Sequence, residues 1–208
     1  MNHLKDCPPM IWTPADFQTD ARTLAKRLIG HRLIRQLDGH RLGGIIVETE
    51  AYLGTHDRAA HSFGGRRTAR IESMYGPAGT AYVYLIYGLH HCFNIVCGTI
   101  DEPTAVLIRA IEPTMGIESM RARRPTAKNR RALCSGPGKL CAALAIDRQL
   151  DGHVLEASGP CWVEHGSQPP RAFSIDSTSR IGVDYAGAWA QKPLRFCLRD
   201  SPFVSKKP

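Results

Sequence analysis

The sequence predicts a single α+β domain built on a largely antiparallel, curved sheet with surrounding helices. Three observations predict it. Strand-like and helix-like segments are mixed along the chain instead of alternating one for one. Tyr87-Gly88-Leu89-His90, between two strand-like runs, is short enough for the tip of a protruding β-hairpin. The 208 residues also show no composition break, linker or internal repeat, so one domain spans 1–208, with loosely ordered ends at 1–18 and 205–208. Hydrophobic residues make up 43% and charged residues 22%, fractions that suit a globular fold and argue against global disorder.

Taken in order, Ala21, Leu24, Ala25, Leu28 and Ile29 fall on one face at helical spacing. Thr19 is the expected N-cap and Gly30 the stop. Ile45 to Leu53 reads as a strand. Extended, it puts Glu48, Glu50 and Tyr52 on one face and Val47, Thr49, Ala51 and Leu53 on the other. From Gly54 to Gly79 the pattern is lost in a long loop rich in Gly, Arg and His, and loops that long inside one domain are usually functional. Thr80 to Ile86 and His91 to Cys97 read as the hairpin strands and Thr104 to Glu112 as a fourth strand. Ile117 to Arg123 reads as a helix, and Ser135-Gly136-Pro137-Gly138-Lys139 opens another carrying Leu140, Ala143 and Leu144. Further strands lie around Trp162 and over Leu194 to Leu198.

Lys plus Arg number 27 and Asp plus Glu 19, a formal charge of +8. Ser119 to Ile146 holds seven Lys or Arg and no acid. A basic domain points to a polyanionic partner, nucleic acid first. The longest apolar run, about Ala81 to Tyr87, is far short of a membrane span, and the N-terminus lacks the apolar core of a signal peptide. The seven cysteines are odd in number and form no C-x-x-C pair. They read as reduced thiols of a cytoplasmic or nucleoid protein, nuclear in a eukaryote.

Five groups of residues invite a chemical reading. Glu48 and Glu50 lie in a strand that otherwise reads as core, where a carboxylate is costly unless paired or used; the alternative is a solvent-facing pair on a half-exposed strand. Arg109, flanked by Leu107, Ile108, Ala110 and Ile111, wants a carboxylate partner, and Glu50 is the candidate. Tyr82 reads as sheet packing, whereas Tyr87 at the tip has little to pack against and suits a wedge into a base stack. His61, His90, His91 and Cys92 invite a metal-dependent hydrolase, but no H-E-x-x-H or paired ligand spacing supports one, and neither metal nor cofactor is expected. Gly138-Lys139 lacks the other residues of a phosphate loop.

Together these segments resemble the alkyladenine (3-methyladenine) DNA glycosylase family. The matching stretches are Val47 to Tyr52, Ala59 to Ser62, Tyr82 to Gly88, Phe93 to Ile95, Leu107 to Pro113, Leu133 to Pro137 and Lys192 to Phe196. The resemblance implies a monomeric, monofunctional enzyme whose hairpin enters the minor groove of damaged duplex DNA and which hydrolyses the N-glycosidic bond of 3-methyladenine, hypoxanthine or 7-methylguanine. It assigns Glu50 as general base and Arg109 as holder of the attacking water. Tyr52, His61 and Tyr84 become walls that stack on a flipped base, Asn94 crowds the amino group of guanine, and Tyr87 fills the vacated stack. Leu89 departs mildly from the family pattern. Ala69, Ile71 and Glu72 depart more, since Glu72 would repel phosphate, and the Arg121 to Arg131 region matches poorly and is read as generic affinity. A silent binder of damaged or structured nucleic acid would need the pocket but not Glu50 and Arg109.

Overall fold

The computed structural model describes residues 10–166 and 174–208. Eight strands form one sheet: β1 Arg32–Leu37, β2 His40–Tyr52, β3 Ala81–Ile86, β4 His90–Cys97, β5 Thr104–Met115, β6 Cys161–Glu164, β7 Ile175–Thr178 and β8 Arg195–Leu198. The order is β3-β4-β5-β2-β1-β6, with β8 on β2 and β7 outside β8. Every pairing is antiparallel. β2 is long enough to carry two partners in succession on one edge, β1 along its first half and β8 at Glu48 to Glu50. It runs five residues further toward the N-terminus than the sequence suggests, through Gly43 and Gly44. A Cβ would lie 2.3 Å from Leu33 O at Gly43 and 2.0 Å from Glu112 O at Gly44. Only glycine lets β1 and β5 approach this closely.

Five helices, α1 Pro14–Phe17, α2 Ala21–Leu28, α3 Ile117–Arg123, α4 Arg130–Cys134 and α5 Pro137–Leu144, accompany the sheet. The apolar stripe of α2 (Leu24, Ala25, Leu28) joins Phe93, Ile95, Val106, Ile108 and Leu140 in the main core. Each such large side chain contributes about 1.5–3 kcal/mol by leaving water. The cap of α2 is Asp20, not Thr19: its carboxylate accepts from Arg22 N–H and Thr23 N–H, both at 3.0 Å. An ionised acceptor at the positive end of a helix outcompetes a hydroxyl one residue further out.

Parts of the expected loose ends are anchored to the fold. Trp12 and Phe17 are buried, Trp12 N–H donates to Val163 O at 2.9 Å, and Ser205 Oγ donates to Glu48 Oε1 at 2.8 Å. Residues 1–9 of the first expected tail lie outside the described residues. The stretch after β2 contains three short 3-10 turns, Gly54–His56, Phe63–Gly65 and Glu72–Tyr75. β7, α1 and α4 escape prediction because they are four or five residues long, too short to show a period. The six described cysteines are free and buried, and burial pushes the thiols of Cys97, Cys134, Cys161 and Cys197 up to about 12. Among the described residues no helix is long and apolar enough to cross a membrane.

Candidate active site

The site is built on the sheet face turned away from the main core. Register lines up Glu50 with Leu107, Leu107 with Asn94 and Asn94 with Tyr82 across β2, β5, β4 and β3. Beside Glu48 strict alternation fails. On β2, Ile46 belongs to the main core, but Val47 packs with Ala110 and Cys197 in a separate cluster, on the side of Glu48. On β5, Ile108 and Ile111 face the main core, and Arg109 and Ala110 fall between them. The pairing skips Val47 and Arg109 at the irregularities between Ile46 and Thr49. This bulge re-aims both strands. Val47 therefore does not share a face with Thr49 and Ala51, and Arg109 faces the two carboxylates.

Glu48 and Glu50 are both fully buried, so the solvent-facing alternative is excluded. Arg109 bridges them, with Nε 3.0 Å from Glu48 Oε1 and a terminal nitrogen 3.3 Å from Glu50 Oε1. Burial works against its charge, but the Glu50 and Glu48 carboxylates hold its pKa above the ordinary arginine value. The environments of the two acids differ. Glu48 also accepts from Arg195 Nε at 2.7 Å and from the backbone and hydroxyl of Ser205, so its lone pairs are occupied by structure. Glu50 accepts from Tyr52 Oη at 2.9 Å and from Ile181 N–H at 2.8 Å. Its neighbours Tyr52, Arg109 and Ile181 all line a cavity of about 350 Å³, and Glu50 stands directly behind them.

The other predicted site residues converge on that cavity: Tyr52, His61, Tyr84, Tyr87, Asn94 and Arg109 all line it. The His61 ring meets Tyr84 edge-on, with centroids 4.6 Å apart. Burial pushes the His61 imidazole below its ordinary value and nearby Arg70 and Arg66 add to this, which favours the neutral ring. Burial, reinforced by the Glu50 charge, drives the Tyr52 phenol well above 10, and burial does the same for Tyr84. Asn94 is buried and donates from Nδ2 to Tyr82 O at 3.0 Å, which fixes its side chain in the cavity wall.

Sequence reasoning missed several contributors. Tyr82 is more than sheet packing, since its hydroxyl lies 2.7 Å from His61 Nδ1 and fixes that ring. Arg180 and Asp57 form a buried two-pronged ion pair at 2.6 and 2.8 Å. Ile181, Gly182, Val183 and Tyr185 close one side of the cavity. An isolated Arg in a loop carries no signal until its partner, 123 residues away, is known.

At the hairpin tip Tyr87 is 83% exposed with φ +52°, and Leu89 is 78% exposed. Glu72 is not a free negative charge, because Arg67 grips its carboxylate and also reaches Asp101. The Arg121 to Arg131 charges are partly structural: Arg130 binds Pro113 O and Glu112, and Arg131 binds Val204 O. Among the described residues no three His, Cys, Asp or Glu side chains converge as metal ligands. His90 and Cys92 are instead cavity wall.

The family model for methylpurine-DNA glycosylase (MPG) matches residues 15–202. The human DNA-3-methyladenine glycosylase is 46% identical over 198 residues, covering 91% of this chain and 66% of that protein. The mouse enzyme of the same name is 46% identical over 204 residues, covering 92% of this chain and 60% of its own. A Natranaerobius thermophilus protein named "Putative 3-methyladenine DNA glycosylase" is 46% identical over 190 residues, 91% of this chain and 96% of its own. The chain thus spans only about two thirds or less of its mammalian relatives and nearly the whole of the bacterial one. It belongs to the methylpurine-DNA glycosylase family.

Proposed function

We propose that this chain is a monofunctional DNA N-glycosylase that flips alkylated or deaminated purines out of duplex DNA and hydrolyses their N-glycosidic bond, the first step of base-excision repair. 3-Methyladenine is the leading substrate, with hypoxanthine and 7-methylguanine beside it. It acts as a monomer wherever the DNA is, in a nucleoid or a nucleus.

A base inside a duplex hides its C1′, so it must be extruded at a cost of a few kcal/mol, least when it is damaged or badly paired. Three features support that route. The net charge of +8 favours duplex binding with a strong salt dependence. The exposed ring of Tyr87 stands on the hairpin tip beside the cavity mouth, placed to occupy the vacated stack. The cavity volume, about 350 Å³, lies within the usual range of about 300–1,000 Å³ for small-ligand pockets. Its Tyr52, His61 and Tyr84 rings offer stacking faces to a purine, and a cationic alkylated purine gains further from them.

For the chemistry, Arg109 orients a water against Glu50. The water oxygen bonds to C1′ as the C1′–N bond breaks, the bonding pair leaves with the base, and Glu50 accepts the water proton. The carboxylate also faces the positive charge that grows on the sugar, as in glycoside hydrolysis. Among the described residues no lysine lines the cavity, which favours simple hydrolysis over a Schiff-base route with strand cleavage. Asn94 narrows the wall where a guanine amino group would project.

The observation that carries this reading is Glu50, fully buried yet bonded only to groups that face the cavity. A silent binder has no use for that arrangement. Glu50→Gln should nearly abolish base release in single-turnover assays on a lesion duplex while leaving affinity within about tenfold, roughly 1.4 kcal/mol. A wild-type rate on a cationic lesion would overturn carboxylate-assisted hydrolysis.

A further inference from the structure

We propose that the buried Arg180–Asp57 pair is a positioning device that lets this pocket release uncharged damaged purines; the inference rests on the glycosylase reading above. Both side chains are fully buried, and Arg180 is not part of the cavity wall. Its guanidinium lies over the Tyr52 ring, 4.7 Å from the centroid. One face of Tyr52 is therefore covered by a flat buried cation, and only the other side of the ring is left for a base.

The pair also joins the three chain segments that frame Glu50. Arg180 donates to Ala51 O at 2.9 Å on β2. Asp57 accepts from Leu53 N–H and Ala59 N–H, both at 3.0 Å, in the following loop. Ile181, next to Arg180 in sequence, donates its N–H to Glu50 Oε1. The ring that stacks on the base, its hydroxyl bond to Glu50 and the Ile181 bond to Glu50 thus all depend on one bidentate contact. Such a fork is specific to arginine, since lysine offers a point charge without a planar face.

Alkylated cationic purines are good leaving groups and still need the carboxylate, but they tolerate its imperfect placement. An uncharged purine such as hypoxanthine leaves poorly, so its release draws fully on a well-placed carboxylate and a fixed stacking wall. The loss of placement should therefore fall on the uncharged substrate. A guanidinium already behind Tyr52 also makes the ring a weaker lure for a second cation, so this wall is suited to holding a flat base in place more than to reading its charge.

The test compares single-turnover release of hypoxanthine and of 3-methyladenine from duplex DNA by the wild type, Arg180→Lys and the double variant Arg180→Met/Asp57→Asn. The double variant removes both charges together, so that no unpaired buried ion is left to unfold the protein. Rates are normalised to the active fraction and duplex affinity is measured alongside. We expect hypoxanthine release to fall at least thirtyfold in both variants, 3-methyladenine release by less than threefold, and affinity by less than threefold. Equal losses on the two bases, or a loss confined to affinity or active fraction, would reduce the pair to plain structural support and overturn the proposal. So would a wild type that releases 3-methyladenine but not hypoxanthine. A wild type that releases neither base would overturn the glycosylase reading itself.

Discussion

The hydroxyl of Tyr52 donates to Glu50 Oε2 at 2.9 Å, so the aromatic wall of the cavity and the carboxylate behind it are one mechanical unit. Two residues apart on the same face of β2, they meet because a pleated strand repeats every second residue. Tyr52→Phe keeps the ring and removes that donor. Single-turnover base release should fall about tenfold, roughly 1.4 kcal/mol, with lesion-duplex affinity within about twofold. An unchanged rate would mean that Ile181 and Arg109 alone hold Glu50.

The family resemblance assigns a role to Glu50 and none to Glu48, but the structure gives Glu48 a structural one. It is wedged between Arg109 and Arg195 and capped by Ser205. Glu48→Gln leaves Arg195 without its buried carboxylate, and breaking one side of a buried pair costs about 3–5 kcal/mol. At about 2–4 °C per kcal/mol for a chain of this size, Tm should drop by roughly 6–20 °C. Folded molecules should still release base, because Glu50 keeps three donors. Thermal unfolding together with rates corrected for active fraction checks both halves. An unchanged Tm would show that Arg195 finds another partner.

Asn94 is locked to Tyr82 O and buried in the cavity wall. Asn94→Gly opens space opposite the purine edge, so release of guanine-derived lesions should rise relative to adenine-derived ones, since exclusion is steric. The missing hydrogen bond and the freer backbone should together cost about 1–2 kcal/mol of stability. Competition assays on mixed lesions read the ratio directly; an unchanged ratio removes Asn94 from specificity.

His31 supplies a pH dependence far from the site. Burial, together with positive charge on His165 and Arg27, pushes its imidazole down to about 4. Its Nδ1 accepts from Gly166 N–H at 3.1 Å, which only an unprotonated nitrogen can do. An unfolded histidine titrates near 6.5. Between these values the unfolded chain binds the extra proton, so the stability is full above about pH 6.5 and is lost as pH falls toward 4. Denaturant unfolding should show the wild type losing roughly 1–2 kcal/mol more than His31→Asn between pH 6.5 and 5. Parallel losses in the two proteins would place the acid sensitivity elsewhere.

Much of the fold is legible because its long elements are strongly periodic. The apolar faces of α2 and α5, the alternation along β3 and β4 and the apolar run of β5 are local patterns, and the elements they specify are present. Where legibility fails, the cause is long-range. The first half of β2, across Gly43-Gly44, has no local signal until the approach of β1 and β5 is known, and β7 pairs with β8 without an apolar pattern of its own. Asp20 in place of Thr19 is a failure of local chemistry, a carboxylate chosen over a hydroxyl at adjacent positions.

By itself the sequence determined the antiparallel α+β architecture, the basic surface charge, the shared face of Glu48, Glu50 and Tyr52, and the need of Arg109 for a carboxylate. These follow from period, composition and the cost of burying a lone ion, all of which are readable along the chain. Only the tertiary structure decided which partners each carboxylate has. A paired bulge on β2 and β5 aims Arg109 at both acids. Arg195 and Ser205, 147 and 157 residues from Glu48, then fill the lone pairs of one acid and leave the other facing the cavity through Tyr52, Arg109 and Ile181. Residue type fixes what a side chain is able to do, but which of two equal carboxylates stands behind the cavity wall depends on which distant groups fold against each.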